Sequence, residues 1–452
     1  MYMVDGWGAV YKIDVRSGDS GRTLWKMDPG QEKYGRHRGV ALWGNLVIST
    51  TGKDGRVIAT DKETGKIVWD KNLHDQPEVE LSSAPLALKD DIIVGASGGD
   101  QGVRDWIVSL DPKTGNVKWK TFAIPAPGEP GSETWKDKNN AWQTGGGAFY
   151  VTGSYDPQTN LTYWGSGNPA PGYDASYRPG DNLFTSSAIA FNVANGKMEW
   201  YFQYTPNDSR DYDETGTHIL IDTKVNGEDR KIVTHPGRNG FNYTFDRTNG
   251  QFLKAGQYVG KVNWTKGIDP KTGKPLDYDP SKDFQLYAEP ANVNTDKLAR
   301  RVCPDQAGGN NFWPSSYSPK TKMLYVPSVE GCSDITPDHS AHVKGKFAGG
   351  GYFNPERLTS QIVVVDPTTG EKKAQKDMPY PNSAGVLSTA GGVIVTALLD
   401  GTIVALDDQT LEELWKINVG TGFNAPPMTY AVDGKQYIAI ASGLWQIGRA
   451  HV

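Results

Sequence analysis

Five polar segments of this chain carry side chains whose types suit chemistry better than packing. Their carboxylates, amides and guanidinium groups can bind a hard cation, accept a proton or stabilise a developing negative charge. Each segment alone is a weak signal, because glycine-rich loops are usually turns and an Asp-x-Asp pair is usually solvated. The segments span residues 97–104, 165–171, 208–214, 234–240 and 308–313.

A short cassette that occurs seven times predicts the elements that hold these segments. Each copy has an apolar strand ending in Asp or Asn, then a turn, and in most copies a Gly and a Trp. Asp and Gly supply the backbone conformations of a tight turn, so each copy predicts a hairpin of two antiparallel strands. The polar residues that end the strands are Asp14, Asp61, Asp111, Asn192, Asp246, Asp366 and Asp407.

The spacing of the copies and the position of Trp predict an all-β fold, an eight-bladed β-propeller with tryptophan-docking repeats. The intervals are 47, 50, 81, 54, 120 and 41 residues, of which the short ones match one four-stranded blade and the long ones leave room for loops or a degenerate blade. A Trp at a fixed place would fill the wedge between neighbouring sheets, with its N–H near a backbone acceptor. A β-sandwich with coincidental turns is the alternative, and it does not explain the Trp positions.

Composition and charge argue against several kinds of partner. The chain has 452 residues, 53 of them Gly and 28 Pro, and its net charge is −5 with the signs scattered. We therefore expect no nucleic acid and no anionic membrane surface as a partner. No apolar stretch approaches the roughly 18 residues of a membrane span.

The two ends predict a fragment that is incomplete on both sides. The first residues enter in the middle of a strand pattern without a signal peptide, so the missing leader says nothing about the compartment. The last residues match the translation of a common sequencing adapter. We interpret residues 1–445 as the propeller and residues 446–452 as a non-native tail.

The cysteine content leaves two readings open. Cys303 and Cys332 are 29 residues apart, and a disulfide between them would suit an oxidising compartment, whereas two free buried thiols are the alternative. The sequence holds no C-x-x-C-H, so no c-type haem is attached within it.

Together, in this order and on this repeat, the polar segments closely resemble the quinoprotein alcohol dehydrogenases. The resemblance covers the chain from Met1 to about Trp445. It implies a propeller that holds pyrroloquinoline quinone (PQQ) and a metal ion on its central axis. It also implies a periplasmic enzyme that oxidises an alcohol to an aldehyde or ketone, passes electrons to a cytochrome c and can form a homodimer.

The resemblance assigns roles to particular residues. Asp211 is the general base and Arg238 the cation at the quinone oxygens, and these two form the catalytic pair. Cys303 and Cys332 match the family's disulfide, including its loop length. The implied metal ligands are Asp100, Asn168, Asp211 and Asp213. The implied cofactor contacts are Arg38, Ser82, Ser97, Gly98, Gly99, Tyr150, Arg238 and Asn311.

The identity of the metal stays open between Ca²⁺ and a lanthanide. An acidic residue at position 213 resembles the lanthanide-dependent branch of the family. Three carboxylates plus the negative charge of the cofactor favour a trivalent ion on Coulomb grounds. The methanol-type members, however, have Glu where this chain has the shorter Asp100, which weakens that inference.

Three departures from the family pattern predict a wide substrate pocket. Glu32 and Lys33 replace an adjacent cysteine pair, Tyr150 replaces the Trp beneath the cofactor, and Ser383 replaces an active-site Trp. We therefore expect a bulky primary or secondary alcohol, such as a sugar or polyol. The alternative function is that of a non-catalytic quinoprotein-like propeller, a periplasmic assembly or binding scaffold, which would need neither the carboxylate pair nor the Arg238 and Asn168 segments.

Overall fold

A computed structural model describes residues 1–18, 20–287, 299–339, 349 and 351–443. The described residues form antiparallel strands joined by turns, and their helices are short 3₁₀ segments of three or four residues. The chain divides into two compact units. The first unit is Met1–Asp208 with His339–Gly350, and the second unit is Ser209–Asp338 with Gly351–Val452. The prediction of an all-β fold is confirmed.

The first unit contains four antiparallel sheets, in which strands that follow one another along the chain pair as neighbours. One sheet has three strands and the others have four. The strands are β1 (Tyr2–Val4), β2 (Val10–Asp14), β3 (Arg22–Met27), β4 (Ala41–Trp43), β5 (Leu46–Thr50), β6 (Arg56–Asp61), β7 (Ile67–Asn72), β8 (Leu86–Ala87), β9 (Ile92–Gly95), β10 (Trp106–Leu110), β11 (Val117–Phe122), β12 (Ser154–Asp156), β13 (Leu161–Gly165), β14 (Ser187–Asn192) and β15 (Met198–Gln203).

The second unit repeats this pattern with one insertion. Between β22 and β25, a hairpin formed by β23 and β24 pairs with β20 as a separate three-stranded sheet. The strands are β16 (Ile219–Val225), β17 (Glu228–Pro236), β18 (Phe241–Asp246), β19 (Phe252–Gln257), β20 (Ala299–Val302), β21 (Ser316–Ser318), β22 (Met323–Glu330), β23 (Ser333–Pro337), β24 (Gly351–Pro355), β25 (Thr359–Val365), β26 (Lys372–Met378), β27 (Val386–Ser388), β28 (Val393–Ala397), β29 (Thr402–Asp407), β30 (Glu413–Asn418), β31 (Met428–Val432) and β32 (Lys435–Ala439).

The repeated turn has the geometry that its residues predict. In the second copy, the Asp61 carboxylate accepts hydrogen bonds from the backbone N–H groups of Glu63 and Thr64, and Gly65 closes the turn at φ +73°. A positive φ is easy for Gly and unfavourable for a residue with a Cβ. The seventh copy carries Leu411 at the corresponding position with φ +59°, which is a strained conformation for a branched side chain.

Each tryptophan of the early copies docks on the turn of the following sheet. The indole N–H groups of Trp25, Trp69 and Trp119 donate to the backbone carbonyls of Lys62, Pro112 and Val193, at 3.2, 3.0 and 2.7 Å respectively. The turn glycine beneath each ring leaves no room for a Cβ, which would lie 2.8 Å from the Trp25 ring at Gly65. The expected filling of the space between sheets by Trp is therefore present within the first unit.

Replacing Trp119 with Ala should lower the free energy of unfolding by about 3 kcal/mol, because the change leaves a cavity and an unpaired carbonyl at Val193. Trp119 is 9% exposed, whereas Trp7 is 45% exposed. Trp7→Ala is therefore the control and should cost less than about 1 kcal/mol. Urea unfolding measures both variants, and equal losses would contradict a special role for the docked ring.

Candidate active site

The guanidinium group of Arg238 joins three segments of the second unit. Its Nη1 donates to the backbone carbonyls of Asp211 at 2.6 Å and Gln306 at 3.1 Å. Its Nη2 donates to Asp213 Oδ2 at 2.7 Å and to Asn311 Oδ1 at 2.8 Å. Arg238 is only 4% exposed, so this cation lies in a largely dry environment where charge interactions are strong. The structure thus brings four of the predicted site residues into one cluster.

Asp211 is the carboxylate of this cluster that is better placed to meet a substrate. Its side chain is 21% exposed against 12% for Asp213, and its Oδ2 lies 3.8 Å from Arg238 Nη1. The backbone at Asp211 has φ +64°, the left-handed conformation that Asp and Asn adopt more readily than other residues with a Cβ.

Residues 305–311 form a tight loop that packs against Arg238. Gly309 N donates to the Arg238 carbonyl at 3.0 Å, and a Cβ on Gly308 would overlap the Arg238 side chain. The loop begins beside the disulfide between Cys303 and Cys332, whose Cα atoms are 4.4 Å apart. The expected disulfide is confirmed, and the two free thiols are excluded. The disulfide ties the start of the loop to the strand region that follows β22.

The predicted cofactor contacts of the first unit also form a connected group. The Arg38 guanidinium carbon lies 4.8 Å from the centre of the Tyr150 ring, which places a cation over an aromatic face. Arg38 Nη1 donates to the Ser82 carbonyl at 3.3 Å, and the hydroxyl groups of Ser82 and Ser97 are 3.0 Å apart. A cation, two hydroxyls and an aromatic ring are groups that suit a flat anionic ligand.

The predicted metal ligands Asp100 and Asn168 lie on loops that contact the same glycine. Gly99, which precedes Asp100, packs on Gly146 so closely that a Cβ would lie 2.9 Å from the Gly146 Cα. Gly146 forms a β-bridge with Pro169, the residue after Asn168. Asp100 is exposed in a 3₁₀ turn, and Asn168 is 6% exposed with its Nδ2 donating to the Pro169 carbonyl at 3.0 Å.

The sequence did not reveal Arg178, which holds the chain just beyond Asn168. Arg178 is fully buried, and burial lowers its pKa to about 10. Its guanidinium donates to the carbonyls of Pro171, Gly172 and Asp208 and to Asn182 Oδ1, at distances of 2.5–3.1 Å. A surface arginine has the same appearance in sequence, so no pattern could have marked this one.

Replacing Arg178 with Met should destabilise the protein by about 3 kcal/mol, because several buried oxygen atoms lose their donor. Arg22, whose side chain is 77% exposed, provides the control, and Arg22→Met should change the free energy of unfolding by less than about 0.5 kcal/mol. Urea unfolding tests the pair. A neutral Arg178→Met would show that the carbonyls find other donors.

Two further buried acids beside Arg238 were missed from the sequence. Asp305 is 2% exposed, and burial raises its pKa to about 6. Glu214 is fully buried, and burial raises its pKa to about 8. Glu214 follows Asp213 directly, so the acidic run was visible in the sequence. The contact between Glu214 and the Arg238 segment, 24 residues later, could not be seen in the sequence.

The residues that depart from the family pattern differ in their exposure to solvent. Glu32 and Lys33 are exposed in the first unit. Ser383 is 8% exposed in the second unit, where its hydroxyl donates to Asn424 Oδ1 at 2.6 Å. Among the described residues, no three His, Cys, Asp or Glu side chains are grouped so that they could hold a metal ion together.

Comparison with known proteins gives one family. The family model described as "PQQ: Glucose/ethanol/alcohol dehydrogenase, beta-propeller domain" matches residues 1–255 and 358–438. The quinoprotein alcohol dehydrogenase PedH of Pseudomonas putida is 33% identical over 98% of this chain and 77% of its own length. The quinohemoprotein alcohol dehydrogenase of Comamonas testosteroni is 33% identical over 98% of this chain and 65% of its own.

Solved structures agree with this assignment. The crystal structure of the quinohemoprotein alcohol dehydrogenase from Comamonas testosteroni has a TM-score of 0.89 at 32% identity and covers 98% of this chain and 69% of that one. A europium-containing methanol dehydrogenase has a TM-score of 0.89 at 29% identity and covers 97% and 80%. BamB from Moraxella catarrhalis, at 13% identity and a TM-score of 0.54, shares the fold alone.

Fold and site together define a β-propeller of the quinoprotein class. The chain belongs to the quinoprotein alcohol dehydrogenases, a family of PQQ-dependent alcohol oxidoreductases. In the described residues, no helix has the length and apolar character needed to cross a membrane.

Proposed function

We propose that this protein is a periplasmic enzyme that oxidises a bulky primary or secondary alcohol to the aldehyde or ketone and passes the electrons to a cytochrome c. The observation that carries this proposal is the Arg238 cluster, in which one buried guanidinium holds the Asp211 and Asp213 segment and Asn311. A binding scaffold has no need for a buried cation beside a partly exposed carboxylate. We further propose eight blades for the propeller and a homodimer in solution.

The side chains available fit PQQ, an anionic planar quinone. Arg38 and Arg238 supply positive charge, Ser82 and Ser97 supply hydroxyl groups, and Tyr150 supplies an aromatic face. Gly98 and Gly99 directly follow Ser97, and their backbone would contact the cofactor. When bound, PQQ supplies the acceptor for the two electrons and the carbon-bound hydrogen of the alcohol.

Residues of the second unit supply the general base, the fixed positive charge and a further cofactor contact. Asp211 accepts the proton of the alcohol hydroxyl, which makes it the general base. Arg238 holds a fixed positive charge where negative charge develops, and its four hydrogen bonds keep it from moving. Asn311, whose Oδ1 accepts from the same guanidinium and whose Nδ2 donates to the Ala307 carbonyl at 3.1 Å, would contact the edge of the cofactor.

We propose Asp100, Asn168, Asp211 and Asp213 as the metal ligands. Oxygen ligands suit both Ca²⁺ and a lanthanide ion. The additional carboxylate of Asp213 favours the trivalent ion on charge grounds, and one relative of known structure contains europium. Titration of the PQQ-loaded protein with Ca²⁺ or La³⁺ decides between them. Tighter binding and faster turnover with La³⁺ support the lanthanide, and the reverse order supports calcium.

Dye-linked turnover of the purified protein tests the proposed reaction. With PQQ and metal, an artificial electron acceptor should be reduced in the presence of alcohol, and the quinone absorbance should change on metal addition. Sorbose, larger secondary alcohols, ethanol and methanol form the substrate panel. Methanol as the best substrate would contradict the wide pocket. Absence of any PQQ binding would instead support the non-catalytic scaffold.

A further inference from the structure

Glu214 occupies a buried position that connects the base-bearing segment to the Arg238 turn. Glu214 is fully buried, and its Oε2 accepts a hydrogen bond from the Arg238 backbone N–H at 3.0 Å. Its Oε1 accepts the N–H of Asn239 at 3.4 Å. Because Glu214 directly follows Asp213, one side chain links both halves of the cluster described above.

The turn that carries Arg238 needs this carboxyl group. Within the turn, Gly237 N donates to the Phe241 carbonyl at 2.8 Å and Gly240 N donates to the Gly237 carbonyl at 3.1 Å. The N–H groups of Arg238 and Asn239 point instead to Glu214. A buried backbone N–H without an acceptor is costly, so removal of the Glu214 carboxyl should change the turn.

His235 contacts Glu214 from the other side, and a second histidine stacks on His235. His235 Nε2 lies 2.9 Å from Glu214 Oε2, and its Nδ1 lies 3.3 Å from the Thr217 carbonyl. Since a carbonyl can only accept, the Nδ1 carries a proton at that contact. His218 stacks on the His235 ring with centroids 4.2 Å apart and planes 2° from parallel. The imidazole is therefore fixed in plane.

The packing leaves Glu214 little freedom to choose another position. A Cβ added to Gly237 would lie 2.8 Å from Glu214 Oε2 and 3.0 Å from Asn239 Oδ1. Gly237 is thus the residue that admits the carboxyl group beneath the turn. The strand pairing of β17 with β18 does not involve the Glu214 side chain, so the sheet can form without it.

We propose that Glu214, held by His235, is a positioning residue that sets the backbone of Arg238 so that its guanidinium reaches Asp211, Asp213 and Asn311. This inference rests on the proposed function. The guanidinium meets four separate oxygen atoms at 2.6–3.1 Å, a geometry that tolerates little displacement. Misplacement of a catalytic group by about 1 Å can cost about 100-fold in rate.

The experiment compares Glu214→Ala, Glu214→Gln and Glu214→Asp with Glu330→Ala in the full chain. Glu330 is the matched control, since it is a partly buried Glu of the second unit whose Oε2 accepts a backbone N–H, that of Gly260 at 2.8 Å. The readouts are kcat, KM, thermal unfolding, the PQQ dissociation constant from Trp fluorescence, and a crystal structure of Glu214→Ala without cofactor.

The expected results separate positioning from simple stability. Glu214→Ala should lower kcat by about 100-fold with little change in KM, and its crystal structure should show a displaced Arg238 guanidinium. Glu214→Gln keeps one acceptor for the Arg238 N–H, so its loss of kcat should be at least about tenfold smaller. Glu330→Ala should lower the melting temperature without this fall in kcat.

Two outcomes would overturn the inference. One is a Glu214→Ala protein that loses thermal stability to the same degree as Glu330→Ala while kcat and the Arg238 position stay as in the wild type. If Glu214→Ala does not fold, the other is a Glu214→Asp protein with wild-type kcat, since its carboxyl group is shorter by one methylene. A wild-type protein that binds PQQ but oxidises no alcohol would instead contradict the proposed function.

Discussion

Replacement of Asp211 by Asn is expected to reduce kcat by about 10³-fold, because an amide cannot accept the hydroxyl proton of the substrate. Asn tolerates the left-handed backbone conformation that Asp211 adopts at φ +64°, so the turn should survive the change. The bond from Arg238 to the Asp211 backbone carbonyl does not depend on the side chain. The substitution therefore removes the general base and leaves the hydrogen bond from Arg238 to the backbone of residue 211 in place.

The matched control for this prediction is Asp433→Asn. Asp433 also has a positive φ, +49°, but lies exposed in the turn between β31 and β32. Both variants should unfold at about the wild-type temperature and retain PQQ binding. Steady-state turnover with an artificial dye should fall only in Asp211→Asn. Full activity of that variant would remove Asp211 from the role of base.

Replacement of Arg238 by Lys is expected to reduce kcat by about 10²- to 10³-fold. A lysine ammonium is a compact charge on a flexible stem and cannot meet four oxygen atoms in the fixed plane that Arg238 uses. The charge is retained, so a large loss would show that geometry matters as well as charge. The affinity for PQQ should weaken at the same time.

Arg230, on the strand β17 that leads into the Arg238 turn, serves as the control for Arg238. Its side chain is 31% exposed and pairs with Glu228 and Asp246. Exposed ion pairs contribute about 1 kcal/mol or less, so Arg230→Lys should leave both kcat and stability close to the wild type. Comparable losses in the two variants would show that this hairpin tolerates no lysine in place of arginine and would contradict a specific role for Arg238.

The sequence predicted the repeating elements well because the signal is local. The Asp, Gly and Trp positions are separated by a few residues, and short-range turn chemistry decides the hairpin. Even the exception is instructive: Leu411 adopts the positive φ of the missing glycine, so neighbouring contacts override the preference of the residue itself. The blade count needs distant pairings and stays a prediction.

The candidate site was predicted only in part, for a physical reason. The resemblance named Asp211, Asp213, Arg238 and Asn311, and the structure brings these four together. Glu214 and Arg178 were not predicted because most of their partners are backbone groups, which have no identity in a sequence. A side chain that serves the main chain of a distant turn leaves no residue pattern to read.

A crystal structure of the protein with PQQ and a metal ion would show whether these residues form one site. We expect an ion about 2.3–2.6 Å from oxygen atoms of Asp100, Asn168, Asp211 and Asp213, with the Arg238 guanidinium beside the quinone edge. Electron density for the cofactor or the ion away from these residues would contradict it.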